Sequence, residues 1–369
     1  MDEPPTDTFY HGVYPGHCQN PDKCKSPDMP THGEEDDITP PDLQSYMSEK
    51  YGVGRGVAWV YFSHNWGRGK NRCFPYATAE WIRTQNRVPF IRLMLRDTIA
   101  QEKCDAQTPS EKVFTLQNIN RGCFDKDLVR WGNAARDFGY PLIVEWGTEV
   151  NGCWFPWNGL WNGKAEGTVL FKYAYQRIVR IIRDDCGARN ITWVFHANGS
   201  SWPNPRQTGN EWNAVDNYYP GDEFVDWIGL SVYGAQEPKK EIPCISFADV
   251  MDYAMEEWGD LKKRKPLYLL EFGMIGGHPG CSQKDDPDCD PKQCKASKWA
   301  DDALSNLLAH RWPEVRGFSW WNETWKEEKD GKTYITNMRV QTVSGLRKVL
   351  QKHIKGNKKI TDHPVFRKI

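Results

Sequence analysis

Two glutamates, Glu149 and Glu271, each follow a run of apolar residues with the composition of a buried strand. Two carboxylates that flank a sugar can cleave a glycosidic bond, one as general acid and then base and the other as nucleophile. This retaining chemistry needs the two groups about 5–5.5 Å apart. An aromatic segment, CWFPW at 153–157, comes soon after Glu149. One such glutamate alone would more simply pair with a loop arginine, but the pair beside aromatic loops favours catalysis.

The aromatic segment after Glu149 suits a saccharide ligand. A neutral sugar offers weak polar groups and apolar C–H faces, and indole or phenyl rings can stack on those faces. We therefore predict that Trp154, Phe155 and Trp157 contact substrate, although about half of these rings could instead pack within their own loop.

The apolar runs before the two glutamates belong to a set of eight. They are rich in β-branched and aromatic residues and nearly continuously apolar, as parallel strands buried on both faces are. They cover residues 9–16, 56–66, 88–96, 141–149, 190–198, 225–234, 266–274 and 315–323. Helical patterns lie between later strands, at 125–139, 167–185, 246–264, 297–312 and 343–353. The alternation predicts an α/β fold, a (β/α)8 TIM barrel, with residues 1–369 as a single domain.

In such a barrel the chemistry lies at the C-terminal ends of the strands. Polar and aromatic residues collect there. Because side chains alternate along a strand, Glu149 is expected to share a face with Glu145. His64, Trp66 and His196 are further candidates for lining the site, although a buried structural role is about as probable for each histidine.

Composition limits the classes of partner. The 369 residues are 39% hydrophobic and 26% charged, which allows a large core and argues against disorder. The net charge of −1 requires no basic face, so nucleic acid and anionic membrane surfaces are not indicated as partners. No run of about 18 apolar residues exists, so no membrane span is expected. We predict a monomer.

The cysteine content favours an oxidising compartment. Eleven cysteines are scattered along the chain, mostly near predicted loops. Three glycosylation sequons, at Asn190, Asn198 and Asn322, add weak support for a secreted, extracellular protein with disulfide bonds. No signal peptide follows Met1, so a mature segment is expected. The odd count leaves at least one thiol unpaired within a chain.

Two segments stand apart from the alternation of strands and helices: a loop-rich acidic stretch at 17–45 and a Cys-rich loop at 276–296. In the second, Cys281, Cys289 and Cys294 with His278 could alternatively bind zinc. Their C-x7-C-x4-C spacing matches no common zinc pattern, so no metal site is predicted.

Four segments, in order, resemble glycoside hydrolase family 26, of clan A of the (β/α)8 retaining hydrolases. They are HGVYPG at 11–16, GTEVNGCWFPWNG at 147–159, YYPGDEFVDWIGLSVYG at 218–234 and PLYLLEFG at 266–273. The resemblance extends over roughly residues 9–350, and the second and third segments are specific together. Members of the family cleave β-linked glycans, mostly β-mannans and less often mixed-linkage β-glucans or xylans, and need no metal or other cofactor.

The resemblance implies roles for individual residues. Glu149 would be the acid/base and Glu271 the nucleophile, with Tyr233 donating a hydrogen bond to the nucleophile. Trp320 or Trp321 would form the floor of the −1 subsite. One position departs from the family pattern, because Thr148 stands where members usually carry a histidine that orients the −1 sugar. This departure leaves the substrate class open more than the reaction type.

These observations predict an endo-acting retaining β-glycanase that hydrolyses β-1,4-mannan or glucomannan. Its partner would be a β-linked polysaccharide or oligosaccharide. A mixed-linkage β-1,3-1,4-glucanase or a xylanase of the same family is the alternative. A non-catalytic carbohydrate-binding barrel would require the loss of Glu149 or Glu271, and both are present.

Overall fold

Eight parallel strands form a closed barrel in the computed structural model, which describes residues 1–16, 38–67, 72–97, 101–239, 242–280, 290–329 and 331–366. The strands are β1 (Phe9–Tyr14), β2 (Trp59–Asn65), β3 (Val88–Met94), β4 (Leu142–Trp146), β5 (Ile191–Asn198), β6 (Trp227–Tyr233), β7 (Leu267–Gly273) and β8 (Val315–Trp321). Each pairs with the next in sequence, and β1 pairs with β8 to close the ring. The predicted (β/α)8 barrel is confirmed.

Helices surround the barrel. They are α1 (Pro40–Met47), α2 (Tyr76–Thr84), α3 (Leu116–Asn120), α4 (Asp125–Phe138), α5 (Ala165–Val179), α6 (Phe247–Glu257), α7 (Ala296–Leu308) and α8 (Ser344–Ile354). α5 continues as a π-helical segment, Arg180–Asp185. The five predicted helical segments are therefore present, with α6 and α7 ending earlier than expected. Between β5 and β6, where every residue is described, two 3₁₀ turns replace an α-helix.

An antiparallel hairpin that the sequence reading did not predict follows β8. It consists of β9 (Thr324–Lys329) and β10 (Lys332–Asn337). A short strand, β11 (Ile360–Thr361), pairs with β1 at the other end of the chain.

Tryptophan fills much of the interior. Nine of the 18 tryptophans are fully buried: Trp59, Trp66, Trp131, Trp146, Trp193, Trp227, Trp258, Trp299 and Trp320. Inside the barrel, Trp227 stacks on Tyr268 with ring centroids 3.9 Å apart, and the Trp59 indole donates to Ser319 Oγ at 2.7 Å. Trp157, Trp312 and Trp321 are also buried in the core, so two thirds of the tryptophans belong to it. In the described part of the chain, no helix combines the length and apolar character that crossing a bilayer requires.

Two disulfide bonds join distant parts of the chain, Cys104–Cys153 and Cys244–Cys294, and three other described cysteines are free thiols, Cys73, Cys123 and Cys186. The remaining four cysteines lie outside the described residues, as do 17–37 of the loop-rich segment and 281–289 of the Cys-rich loop. Disulfide bonding is therefore present, while the full pairing stays a prediction.

All three sequon asparagines use their amide nitrogens inside the fold. Asn190 Nδ2 donates to the Ala135 and Tyr140 carbonyls, and Asn322, which is fully buried, donates to the Pro15 carbonyl. Asn198 Nδ2 donates to Glu149. A glycan needs that nitrogen exposed, so the sequons lend no support to secretion.

Candidate active site

Strand β4 ends earlier than the sequence suggested, and this changes how Glu149 is placed. The strand stops at Trp146, and Glu149 lies in the following turn, with φ at +47°. The turn begins at Gly147, whose φ is +75° and where a Cβ would lie 2.4 Å from the Phe171 ring. The predicted end of this strand at residue 149 is therefore wrong, and strand alternation does not orient Glu149. A non-glycine residue with positive φ is uncommon, and such strain concentrates at functional sites.

Glu149 is buried and held by two neutral donors. Asn198 Nδ2, at the end of β5, donates to Oε1 at 2.8 Å, and Trp154 Nε1 donates to Oε2 at 2.7 Å. Trp154 is partly buried, so one wall beside this carboxyl is apolar and adjoins the surface. Both hydrogen bonds to this carboxyl therefore come from uncharged side chains.

Glu271 lies inside the barrel near the end of β7 in a different environment. The Tyr233 hydroxyl donates to Oε2 at 2.9 Å, and the guanidinium Nη2 of Arg92 lies 3.4 Å from Oε1. Burial raises the pKa of Glu271 to about 7, with Arg92 opposing that rise and Glu149 adding to it. Burial and the adjacent Glu271 raise the pKa of Tyr233 well above its ordinary value, so the phenol keeps its proton and donates.

A third buried carboxylate, Glu145, lies beneath the other two. It pairs across strands with Arg92, whose Nε is 3.7 Å from Oε1. His196 Nδ1 lies 2.7 Å from Oε2, and the Tyr61 hydroxyl donates to Oε1. Burial acts to raise the pKa of Glu145, but His196, Arg92 and the Tyr61 hydrogen bond outweigh it, and the pKa is lowered.

His196 is the structural partner of Glu145. It is fully buried, and its ring nitrogens also contact Thr148 Oγ1 at 3.0 Å and Ser231 Oγ at 2.9 Å. Burial opposes its charge, but the carboxylate of Glu145 outweighs burial and raises the pKa of His196. The predicted lining residue thus lies one layer below Glu149, which it reaches through Thr148. From the sequence, Glu145 was only expected to share a face with Glu149, and neither it nor Arg92 was given a role; their signal was a charged residue inside an otherwise apolar strand.

The aromatic candidates divide into two groups. Trp321 ends β8, stacks on Tyr14 with centroids 3.9 Å apart, and has Arg92 5.7 Å from its ring, so it adjoins the Glu271 environment. Phe155 and Trp157 are buried and stack on each other at 4.7 Å. His64, Trp66 and Trp320 are also buried. Contact of these five side chains with substrate stays a prediction.

The alternative zinc ligands are only partly described. Cys294 forms its disulfide with Cys244, and His278 Nδ1 lies 3.1 Å from Cys244 Sγ. A zinc ligand must be a thiolate, and the sulfur of a disulfide is not one. The pairing therefore favours the disulfide interpretation of this loop.

An eight-stranded α/β barrel with two buried glutamates at its carboxyl edge, one beside a cation and one not, has the features expected of a (β/α)8 glycoside hydrolase. The sequence model of the family described as glycosyl hydrolase family 26 matches residues 117–249. This match confirms the resemblance to that family. It includes Glu149 and Tyr233, and Glu271 lies beyond it.

Individual relatives agree with the family match. A β-1,3-xylanase of Vibrio sp. is 30% identical over 122 residues, which are 33% of this chain and 23% of that protein. A mannan endo-1,4-β-mannosidase of Bacillus subtilis is 27% identical over 131 residues, 35% of this chain and 29% of its own length. The chain thus spans about a quarter of the length of these relatives.

Solved structures agree in fold. A modular endo-β-1,4-mannanase from Cellulomonas fimi superposes with a TM-score of 0.58 at 16% identity, covering 96% of this chain and 72% of that one. At this identity the likeness supports the barrel alone.

Proposed function

We propose that this protein is an endo-acting retaining β-glycanase in which Glu149 is the acid/base and Glu271 the nucleophile. The observation that carries the proposal is the contrast between the two carboxyls. Glu271 has Arg92 and Tyr233 to stabilise an anion, whereas Glu149 has only neutral donors and an indole beside it. When two carboxyl groups of a site lie in different surroundings, one can serve as the acid and the other as the nucleophile.

In the proposed reaction, Glu271 attacks the anomeric carbon while Glu149 donates its proton to the departing glycosidic oxygen. The C1–oxygen bond breaks and an ester forms between C1 and Glu271. Glu149, now a carboxylate, then takes a proton from water. The water oxygen attacks C1 and displaces Glu271, so the sugar product keeps the original β configuration at C1. Tyr233 and Arg92 orient Glu271, Arg92 favours its carboxylate form before the attack and after its release, and Trp321 lies beside the proposed position of the −1 sugar.

For substrate we propose β-1,4-mannan or glucomannan, supported by the mannan-cleaving relative from Bacillus subtilis. A xylan is the second candidate, because the Vibrio relative is a β-1,3-xylanase. Thr148 also stands where family members usually carry a histidine, which leaves the substrate class open, and its Oγ1 lies 3.0 Å from His196 Nδ1. We also propose that the protein is secreted, which the two disulfide bonds support. A monomeric state is a separate proposal.

Product release from a polysaccharide panel tests the substrate. The panel contains β-1,4-mannan, glucomannan, mixed-linkage β-1,3-1,4-glucan, β-1,3-xylan and β-1,4-xylan. Highest kcat/KM on the first two supports mannan, and highest activity on β-1,3-xylan supports the second candidate. No activity on any of the five would refute the proposed function.

Two variants test the residue roles. Glu149→Ala should lower activity on polysaccharide by about 10²–10⁴-fold, while an aryl glycoside with an activated phenolate loses less at the glycosylation step. Added azide should restore turnover and yield a β-glycosyl azide. Glu271→Ala should abolish covalent labelling by a 2-fluoro glycoside. Glu166→Ala, an exposed glutamate of α5, is the matched control. An α-azide, or labelling of a different residue in the wild type, would contradict the assignments.

A further inference from the structure

The loop after β5 carries an exposed tryptophan close to the proposed acid. Trp202 is 54% exposed, and no other tryptophan is among the large exposed hydrophobic side chains of the described residues. Single exposed apolar residues are common and need no explanation. Trp202 differs because of what fixes its backbone.

Trp202 forms a parallel β-bridge with Gly152, in the turn that carries Glu149. Its N–H donates to the Asn151 carbonyl at 2.9 Å, and its carbonyl accepts from Cys153 N–H at 3.0 Å. This pattern ties the exposed residue to the backbone of the proposed acid/base turn, three residues from Glu149.

The bridge also fixes the direction in which the indole leaves the backbone. Residues paired across a bridge have their Cβ atoms on the same face. A Cβ built on Gly152 would lie 2.3 Å from the Trp154 ring. The Trp202 side chain therefore leaves the backbone on the face that carries Trp154, whose indole donates to Glu149.

Buried polar groups hold the Trp202 loop rigid. Asn151 Nδ2 donates to Ser201 Oγ and to the Asn198 carbonyl, both at 2.9 Å. Asn213 Nδ2 donates to the Asn151 carbonyl at 3.0 Å and to the Pro203 carbonyl at 2.7 Å. Each satisfied buried amide holds the loop in one position relative to the turn. An exposed ring on a fixed backbone loses little entropy when it binds a ligand.

We propose that Trp202 is a stacking platform for a sugar on the leaving-group side of the scissile bond, in the positive subsites. This inference rests on the proposed function, since it takes Glu149 as the group that protonates the leaving oxygen. The sugar released in the first step leaves from that side. The same site then positions an acceptor sugar, whose hydroxyl can replace water: its oxygen bonds to C1, Glu149 takes its proton, and the ester to Glu271 breaks.

The test compares Trp202→Ala with wild type on two substrates. One is a long oligosaccharide of the preferred glycan, which occupies both sides of the bond, and the other is an aryl glycoside with the same glycone and no sugar beyond it. The ratio of kcat/KM for the oligosaccharide to kcat/KM for the aryl glycoside should fall about tenfold. A tenfold fall corresponds to the loss of about 1.4 kcal/mol of binding free energy from the aromatic contact. Transfer of the glycosyl group to added oligosaccharide should fall with it, and Trp202→Phe should recover much of both.

Two comparisons keep the result interpretable. Tyr173→Ala removes an equally exposed ring, 58% exposed, from α5 and should leave the ratio unchanged. An unaltered ratio in folded Trp202→Ala, or equal losses in Trp202→Ala and Trp202→Phe, would overturn the platform. Inactivity of the wild type on every substrate would instead refute the proposed function.

Discussion

Replacing Arg92 with methionine should move the pH dependence of catalysis to higher pH. Arg92 Nη2 lies 3.4 Å from Glu271 Oε1. At an effective dielectric constant of about 20, unit charges at that distance attract by roughly 5 kcal/mol. One pKa unit corresponds to about 1.4 kcal/mol, so the full interaction would be worth 3 to 4 units. Arg92 also interacts with Glu145, and water that enters the vacated space would solvate the Glu271 carboxylate, so part of this interaction is not lost. We therefore expect the pKa of Glu271 to rise by at least about one unit in Arg92→Met.

The sign follows from the nucleophile's role. Glu271 acts as a carboxylate, and its pKa of about 7 places the acidic limb of kcat/KM near pH 7 in the wild type. Removing the cation favours the neutral acid, so the limb should move to about pH 8 or above. The assay is kcat/KM against pH with an aryl glycoside, since this parameter reports the free enzyme.

Two variants control that experiment. Arg92→Lys keeps the charge and should shift the limb much less. Arg83→Met removes an arginine that pairs with Glu80 on the surface, and it should leave the profile unchanged. An acidic limb that stays in place in folded Arg92→Met, or moves to lower pH, would refute the electrostatic reasoning.

Three further predictions concern the frame of the site. Glu145→Gln should lower the unfolding free energy by about 3–5 kcal/mol at pH 7, because it leaves the buried Arg92 without this carboxylate partner. The pKa of Glu145 is lowered in the folded protein, so the stabilisation is lost as pH falls through that pKa. Urea denaturation at several pH values should therefore show the difference in unfolding free energy from wild type becoming smaller as pH falls. Gly147→Ala should cost roughly 1–3 kcal/mol more than Gly209→Ala, because both glycines have positive φ but only position 147 meets a ring; equal costs would contradict the clash. Replacing both cysteines of Cys104–Cys153 or of Cys244–Cys294 with serine should lower the unfolding free energy by about 4 kcal/mol in each case, since the bonds join residues 49 and 50 positions apart. Only loss of the first bond should also lower kcat, because Cys153 lies in the Glu149 turn.

The barrel could be predicted from the sequence because strands buried on both faces are nearly continuous apolar runs, and eight were present. The end of β4 could not, because Glu145 already interrupts the apolar run inside the strand, so the polar Thr148 and Glu149 did not mark where the strand ends. The turn depends on Gly147 taking a positive φ against Phe171, which is a tertiary contact. The β9–β10 hairpin was missed although Asp330-Gly331 between alternating residues is a hairpin signal.

Within the site, the two glutamates and Tyr233 were predicted from strand ends and from the family resemblance, and their roles stay predictions. The Arg92–Glu145–His196 cluster needed the register between β3, β4 and β5, and sequence spacing within one strand does not contain it. The sequence also did not indicate which tryptophan side chains are exposed. Trp66 follows β2 directly and Trp202 lies in the loop after β5, and only packing in the folded protein decides that the first is buried and the second exposed.

The amide of Asn198 has a consequence for how the protein can be made. Oligosaccharyl transfer acts on unfolded chain entering the secretory pathway, when the amides of Asn198 and Asn322 are still accessible. A glycan on Asn322 would prevent the carboxyl end of β8 from docking on the Pro15 carbonyl, and one on Asn198 would remove a donor from Glu149. A host without N-glycosylation, or a chain with Ser200 and Thr324 replaced by alanine, is therefore the better source of active protein.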